Sequence, residues 1–407
     1  MFKMAFRNIF RQKRRSLLTA LTMLGGYILA AIGIGFVDGT FNSIVDTFTR
    51  SRLGHIQVHA RGYLDRPSLN KVIGDYRAIG RIIDQEPQAE AWAPRVYSAG
   101  LASVGERTDA ARIIGVDPAR ETRATHFDKK VTQGRAFSEA ALREIILGQG
   151  LAQDLKASLG DEVVLVTQAA DGSLANDVYR LVGLVETGDL ASDRTSMYLH
   201  IDDARELLVL DDSVHEVVVI ARSLKNVLAL NLSLRGRLSS VPVDVLPWQE
   251  FAKSFYNAMQ ADSQGHEVML LILFVIVAIG VLNTALMSVL ERRREYGVLK
   301  ALGTRPKQVF RLIVLEILIL ASMSVVLGAG ISLGINSYVA RHDIPISSFI
   351  SKPVTFGGMQ YTSFTSEVNL RSFVVPALTV LVSAFLVSLM PALRAARTEP
   401  ARSIRIF

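Results

Sequence analysis

VMLLILFVIVAIGVLNTALMSVLERRREYGVLKALG, residues 268–303, holds the transition that decides the fold. From Val268 to Leu290 there is no Asp, Glu, Lys or Arg, whereas Glu291 opens a run in which charges and small apolar residues alternate. A helix needs roughly 20 apolar residues to cross a hydrocarbon core about 30 Å thick. A buried helix of a water-soluble domain rarely excludes charge over such a length. The first part is therefore read as a membrane span and the second as its polar exit.

Three more segments are long and apolar enough to cross: Leu17 to Val37, Val309 to Val339 and Phe373 to Leu393, of which the first and last also exclude Asp, Glu, Lys and Arg. The predicted order is a leading segment 1–16, a first span 17–37, an extracytoplasmic region 38–267 and a second span 268–290. A loop 291–308, a third span 309–339, an outer loop 340–372, a fourth span 373–393 and a tail 394–407 follow. The expected class is an α-helical membrane protein with four transmembrane helices and one large mixed α+β extracytoplasmic domain. Composition agrees, since half of the residues are hydrophobic and only a fifth are charged. There is no Cys, which excludes disulfides and thiolate metal sites.

The first span follows Lys3, Arg7, Arg11, Lys13, Arg14 and Arg15, a basic stretch of the kind that also opens a secretory signal. Its apolar run exceeds the roughly 7 to 15 residues of a signal core, so it is read as a retained span. The flanks 1–16, 291–311 and 394–407 hold 17 basic against 3 acidic side chains, leaving the rest of the chain at −7 within a total of +7. Positive flanks face the cytoplasm. Both termini and the central loop are accordingly expected inside a bacterial inner membrane, with the large domain periplasmic. Basic residues that border bilayer ends point to membrane lipid and away from nucleic acid as a partner.

Residues 38–267 interleave strand and helix patterns. Gly54 to Ala60 alternates apolar and polar side chains as a half-buried strand does, and Ile145 to Leu147, Glu162 to Thr167, Arg180 to Val185 and Glu216 to Ile220 are further strand candidates. Helical spacing marks Tyr76 to Asp84, Gln149 to Ser158, Asp202 to Leu208 and Lys225 to Leu238. Such interleaving predicts sheets covered by helices. Beside the membrane, Phe41, Ile44 and Phe48 recur with helical spacing after the first span, and Trp248, Phe251, Phe255 and Met259 recur before the second. Both sets are expected to continue the transmembrane helices outward, either as a stalk that carries motion or as ordinary packing against the domain.

Catalytic and metal chemistry find little support. No G-x-x-x-x-G-K-[ST] phosphate cradle is present, and Gly148-Gln149-Gly150 lacks the lysine and hydroxyl, so nucleotide hydrolysis is assigned to another chain. His55 and His59 share a strand face, but four residues along a strand is too far for one metal, and they are expected to be structural. No H-E-x-x-H or G-x-S-x-G run occurs. Glu316, inside the third span, is a candidate functional carboxylate, with pairing to Arg311 near the interface as the plainer alternative.

The loop after the second span carries the sharpest signal. A short helix there, stopped by Gly303 and Pro306, places Val298 and Leu302 four residues apart within a basic collar, an apolar knob suited to a partner's groove. Asn283 to Gly303 resembles the N-x-x-x-x-x-V-x-E-R-x-x-E-x-G-x-x-K-A-L-G signature of the FtsX-like permeases, the group that includes MacB-type and lipoprotein-releasing transporters. Pro391 to Arg405 is similar to that group's P-A-x-R-A-A-x-x-x-P-x-x-x-L-R ending, and Leu147 to Leu165 to its L-G-x-x-L-A-x-x-L-x-x-x-x-G-D-x-V-x-L stretch.

The resemblance implies a MacB-like periplasmic core domain. It also implies that Arg294, Glu295, Tyr296, Gly297, Val298, Leu299, Lys300, Ala301, Leu302 and Gly303 form a coupling helix docked on an ATPase subunit. ATP and Mg would then be bound by that partner, in two copies, and not by this chain. A second permease, identical or homologous, and a periplasmic carrier or adaptor are the other implied partners. Gly54 to Ala60 and Trp248 look most like the lipoprotein-releasing branch, so the expected role is extraction of a lipoprotein or other lipidic cargo. Efflux of peptides or small molecules, and regulation of a cell-wall hydrolase, are the alternatives.

Overall fold

The computed structural model describes residues 2–11, 13–346, 354–356, 359–361 and 363–397. The part of the tail motif beyond Arg397 and residues 347–353 of the outer loop lie outside the described residues. Helices are numbered in chain order: α1 (Phe2–Arg11), α2 (Lys13–Phe48), α3 (Tyr76–Asp84), α4 (Pro118–Thr125), α5 (Gln149–Leu155), α6 (Leu190–Asp193) and α7 (Ile201–Leu208). They continue with α8 (Val227–Arg237), α9 (Trp248–Phe251), α10 (Lys253–Glu291), α11 (Arg293–Ala301), α12 (Pro306–Arg341) and α13 (Leu370–Arg397). The chain forms two compact units, one of Met1–Phe41, Gln260–Ser348 and Ser363–Phe407, the other of Asn42–Met259 and Phe349–Thr362.

In the first unit, α2, α10, α12 and α13 are each long and apolar enough to cross a membrane. All four exceed the spans expected from hydropathy, because turns with polar residues prolong the apolar centres at their ends. α2 and α12 run parallel: Ser324 Oγ donates to the Ala20 carbonyl at 3.0 Å, and Asn336 Nδ2 to that of Ala31 at 3.2 Å. Between these bonds the Tyr27 ring lies so close to Gly328 that a Cβ there would approach within 2.5 Å of it. Parallel packing is what two odd-numbered crossings require, and it brings the starts of α2 and α12 to one end of the unit. Met23, Tyr27, Val281, Ile313, Val380 and Ala384 meet in the buried core.

The second unit is built on ten strands: β1 (Ile56–Ala60), β2 (Ala89–Val104), β3 (Arg107–Val116), β4 (Val131–Gly134) and β5 (Glu144–Gly148). The remainder are β6 (Glu162–Gln168), β7 (Leu174–Val185), β8 (Ser196–His200), β9 (Glu216–Ala221) and β10 (Val243–Pro247). They lie in the order β10-β1-β9-β2-β3-β8-β5-β7-β4, and β6 pairs with both β7 and β2. That double pairing closes β2, β3, β8, β5, β7 and β6 into a ring, leaving β9, β1 and β10 as an open wing. The five expected strands and four expected helices are present within a few residues. β2 and β3, the longest antiparallel pair in the sheet, were not anticipated.

β1 corrects one expectation. Read as half-buried, it is buried from Ile56 through His59, because β9 and β10 flank it and both of its faces are covered. Its polar side chains are satisfied inside the protein instead of by water. A second correction concerns Trp248 and Phe251, which do not extend the second membrane helix. They form α9, separated from α10 at Ala252, whose backbone (φ −104°, ψ 44°) is not helical. The Trp248 N–H donates to the His55 carbonyl at 3.0 Å, which ties α9 to the sheet.

Candidate functional site

α11 has two faces of different character. On one, Tyr296 is fully buried among Val289, Val309, Ile313 and Ala392, Leu299 packs against the same cluster, and Lys300 Nζ donates to the Ala396 carbonyl at 2.7 Å. On the other, Arg294, Val298, Ala301 and Leu302 are exposed, Leu302 to 80%. The helix stops where the sequence says it should. Gly303 adopts φ +94°, the left-handed region that disfavours a side chain, and the N–H groups of Gly303 and Thr304 bond back to the carbonyls of Lys300 and Leu299. Pro306 then opens α12, with Gln308 Oε1 accepting from Arg305 N at 2.8 Å.

The start of α11 is strapped to α12 by charge. Arg292 is buried, and its Nη1 donates to both Glu316 oxygens at 3.0 and 2.9 Å while its Nε donates to Glu295 at 3.0 Å. Its guanidinium lies 5.2 Å from the centre of the Tyr296 ring. Glu316 is therefore paired with Arg292 and not with Arg311. Five residues of helix rotate a side chain by about 140°, so Arg311 points away from the face Glu316 uses.

In the other unit the expected aromatic residues are only partly brought together. Phe48 and Phe255 stack with centroids 3.7 Å apart, and Trp248 meets Phe255 edge-on at 6.0 Å. Met259 is buried, and Phe251 and Ile44 are half-buried. Phe41 falls in the membrane unit and takes no part in this cluster. His55 and His59 are buried and structural: His55 Nδ1 accepts from Ala221 N at 3.0 Å, and His59 lies at 3.0 Å from Gln57 Oε1 and 3.2 Å from the His215 carbonyl.

Past Phe48 the helix changes pitch. Thr49–Leu53 is a π-helical turn closed by Gly54 (φ +79°), whose N–H reaches back to the Thr49 carbonyl at 2.6 Å. Such turns mark mechanical or functional sites more often than ordinary helix does. Its freed carbonyls are taken by two cations, the buried Arg95 bonding to that of Arg52 and the half-buried Lys130 to that of Ser51, while Arg52 pairs with Asp189. Arg95 also holds Glu121 (2.6 and 3.1 Å) and lies 3.5 Å from Glu216, which accepts from the Tyr97 hydroxyl at 2.9 Å. Burial alone would raise the Glu121 pKa, but Arg95 and Thr125 outweigh it and hold the carboxyl below its usual value. Burial pushes Lys130 down to about 8. The sequence reading missed this cluster. Its trace was a single charge inside an apolar strand, Arg95 in β2 and Glu216 at the head of β9.

Residues 16–235 match the MacB-like periplasmic core domain family, and residues 267–400 match the FtsX-like permease C-terminal family. The chain belongs to the MacB-type, FtsX-like permease family. This permease is 25% identical over 407 aligned residues to the lipoprotein-releasing system transmembrane protein LolC of Neisseria meningitidis, an alignment covering 97% of this chain and 96% of that one. It is 22% identical to the macrolide export ATP-binding/permease protein MacB of Pasteurella multocida, with 98% of this chain and 59% of that protein aligned. Among solved structures, the periplasmic region of MacB from Actinobacillus actinomycetemcomitans superposes on 50% of this chain and 92% of its own, with 14% identity and a TM-score of 0.37.

The permease is thus an ABC-type membrane subunit with four membrane helices and a periplasmic-type α+β domain. α11 and Glu316 lie inside the FtsX-like match, and the π-turn with its charge cluster lies inside the core-domain match. Residues 236–266, which hold Trp248, Phe251, Phe255 and Met259, fall between the two.

Proposed function

We propose that this permease transmits force from a separate ATPase to its ectodomain, and that the exposed face of α11 is where the ATPase docks. The observation that carries the reading is the pairing of Leu302 at 80% exposure and Val298 at 44% with a fully buried Tyr296 on the opposite face of the same short helix. Apolar side chains held outward on an anchored helix suit a partner's groove. Two ATPase copies, binding ATP and Mg, would serve two permeases, this chain with itself or with a homologue. Both termini and α11 would face the cytoplasm of a bacterial inner membrane, in line with the excess of basic residues in those flanks. ATP-driven closure shifts the ectodomain only as far as the ATP-bound state favours one arrangement.

The cargo we favour is a lipoprotein or related lipidic molecule taken from the outer leaflet and passed to a periplasmic carrier, because the LolC likeness spans nearly the whole of both chains. Efflux of small molecules or peptides through an adaptor is the second reading, favoured by the MacB likeness. Depletion separates them: lipoproteins retained in the inner membrane support the first, and drug or peptide sensitivity without retention supports the second. Docking is tested with Leu302→Glu. The expected result is loss of ATPase co-purification and of stimulated hydrolysis, and normal values for both would refute the assignment.

A further inference from the structure

A cleft of about 1270 Å³ opens within the ectodomain. Phe127, Phe251 and Phe255 contribute its apolar side, and its floor is a sheet face that presents Tyr97, Arg112 and Tyr198. Small-molecule sites are concave and mainly apolar, with a few placed polar groups. Here the polar groups are unbalanced. Arg52, Arg95, Arg112, Lys130 and Lys253 line the cleft against the two carboxylates Glu121 and Glu216. Both carboxylates are engaged, Glu121 by Arg95 and Glu216 by Arg95 and Tyr97, and Arg52 is engaged by Asp189.

Lys130 and Arg112 have no carboxylate within ion-pair distance among the described residues. Lys130 donates to the Ser51 carbonyl, and Arg112 Nη2 donates to the hydroxyls of Ser192 and Ser196 at 3.2 and 3.1 Å. Both approach the same turn: Arg112 touches its serines, and Lys130 feels the charges of Glu121, which is already held by Arg95, of Asp128, and of Asp193, whose own oxygens are taken by Thr187. Lys130 is half-buried with no direct counter-ion among the described residues, which is costly, and Arg112 is an exposed cation on the cleft wall beside it. An anion placed between the two would remove that cost, and a chain attached to it would cover the phenylalanines.

We infer that the cleft binds an anionic amphiphile, its phosphate or carboxylate head on Lys130 and Arg112 and its acyl chain along Phe127, Phe251 and Phe255. The head would compete with the Ser51 carbonyl for Lys130, so occupancy would loosen the π-turn at the root of α2. This inference goes beyond the cargo proposed above and does not depend on ATPase docking: the Leu302→Glu test can fail while the cleft still binds.

The experiment uses the full chain in phosphatidylcholine nanodiscs, a diazirine-bearing palmitate as probe, and mass spectrometry to locate the label. Labelling is expected on peptides containing Phe127 or Phe251 to Phe255. It should fall about tenfold with the corresponding alcohol or in Lys130→Gln, the scale of one charge-assisted hydrogen bond, and Lys130→Arg should restore it. Arg112→Gln, at an exposed side chain, gives a loss of the same sign without touching the π-turn, so misfolding of the lysine variant does not decide the matter. Dodecyl phosphate should displace the probe and inorganic phosphate at the same concentration should not. Equal labelling by acid and alcohol, label confined to the membrane helices, or displacement by inorganic phosphate alone would each overturn the inference.

Discussion

Each unit of the permease buries a charge cluster beside a helix, around Arg95 in one and Arg292 in the other, and the two burials are built differently. In the ectodomain Arg95 serves Glu121, Glu216 and a backbone carbonyl at once, and Glu121 and Glu216 each have a further partner in Thr125 or Tyr97. In the membrane unit a single guanidinium, Arg292, straps Glu316 and Glu295, and Asn8 adds one neutral hydrogen bond to Glu316. Both hold a place where a helix begins or changes pitch. The meshed version locks the root of α2 into the sheet. The single strap can be undone by the loss of one side chain, and it sits where movement of α11 would have to be passed to α12.

Arg95→Met breaks the comparison most severely. It strands two buried carboxylates, and unfolding of the full chain followed by Trp92 fluorescence should show a loss of about 3–5 kcal/mol. A loss under about 1 kcal/mol would mean the mesh is not what holds the domain. Arg292→Met removes the counter-charge of Glu316 only, which keeps its hydrogen bond to Asn8 and lies close enough to the end of its span to reach water. Its cost should be smaller, about 2–3 kcal/mol, with stimulated ATPase activity lost as well. Adding Glu316→Gln should recover a large part of the stability, and a strictly additive double variant would argue that the two side chains are not coupled.

Lys130 sharpens the contrast through pH. Its folded pKa of about 8 lies below its ordinary 10.5, so between those values the unfolded chain carries the extra proton and the folded state gains stability as pH rises. A gain on the order of 2 kcal/mol across that window is expected in the native chain, where each pKa unit amounts to about 1.4 kcal/mol. Lys130→Met should lack it, and equal pH profiles for the two proteins would dispose of the idea. The smallest effect belongs to Leu302→Glu, which should change stability by less than about 0.5 kcal/mol because the side chain is solvated. A larger loss would mean that the outer face of α11 is packed in the free permease.

The membrane helices, the stop at Gly303 and most of the ectodomain elements were legible because each rests on a local signal: uninterrupted apolarity, a left-handed glycine, or alternation. β2 and β3 were hidden because small Ala, Gly and Ser residues dominate 98–103 with Leu101 as the one large apolar side chain, Pro94 interrupts the run, and their cohesion comes from pairing with each other and, for β2, with β6 and β9. β1 looked half-buried because His55, Gln57 and His59 are polar, and only the flanking strands reveal that their partners are internal. Partner choice at Glu316 was equally non-local. Arg292 is 24 residues away and becomes adjacent only once α11 folds back on α12.

The bonds from Ser324 and Asn336 to carbonyls of α2 bear on biogenesis. Those acceptors already belong to the backbone ladder of α2, so the earliest-made span can wait in lipid with no debt of its own, whereas Asn336 on α12 enters with a polar head that hydrocarbon penalises. Because the ribosome delivers α12 some three hundred residues after α2, the needy helix always emerges into a bilayer where its host is already installed.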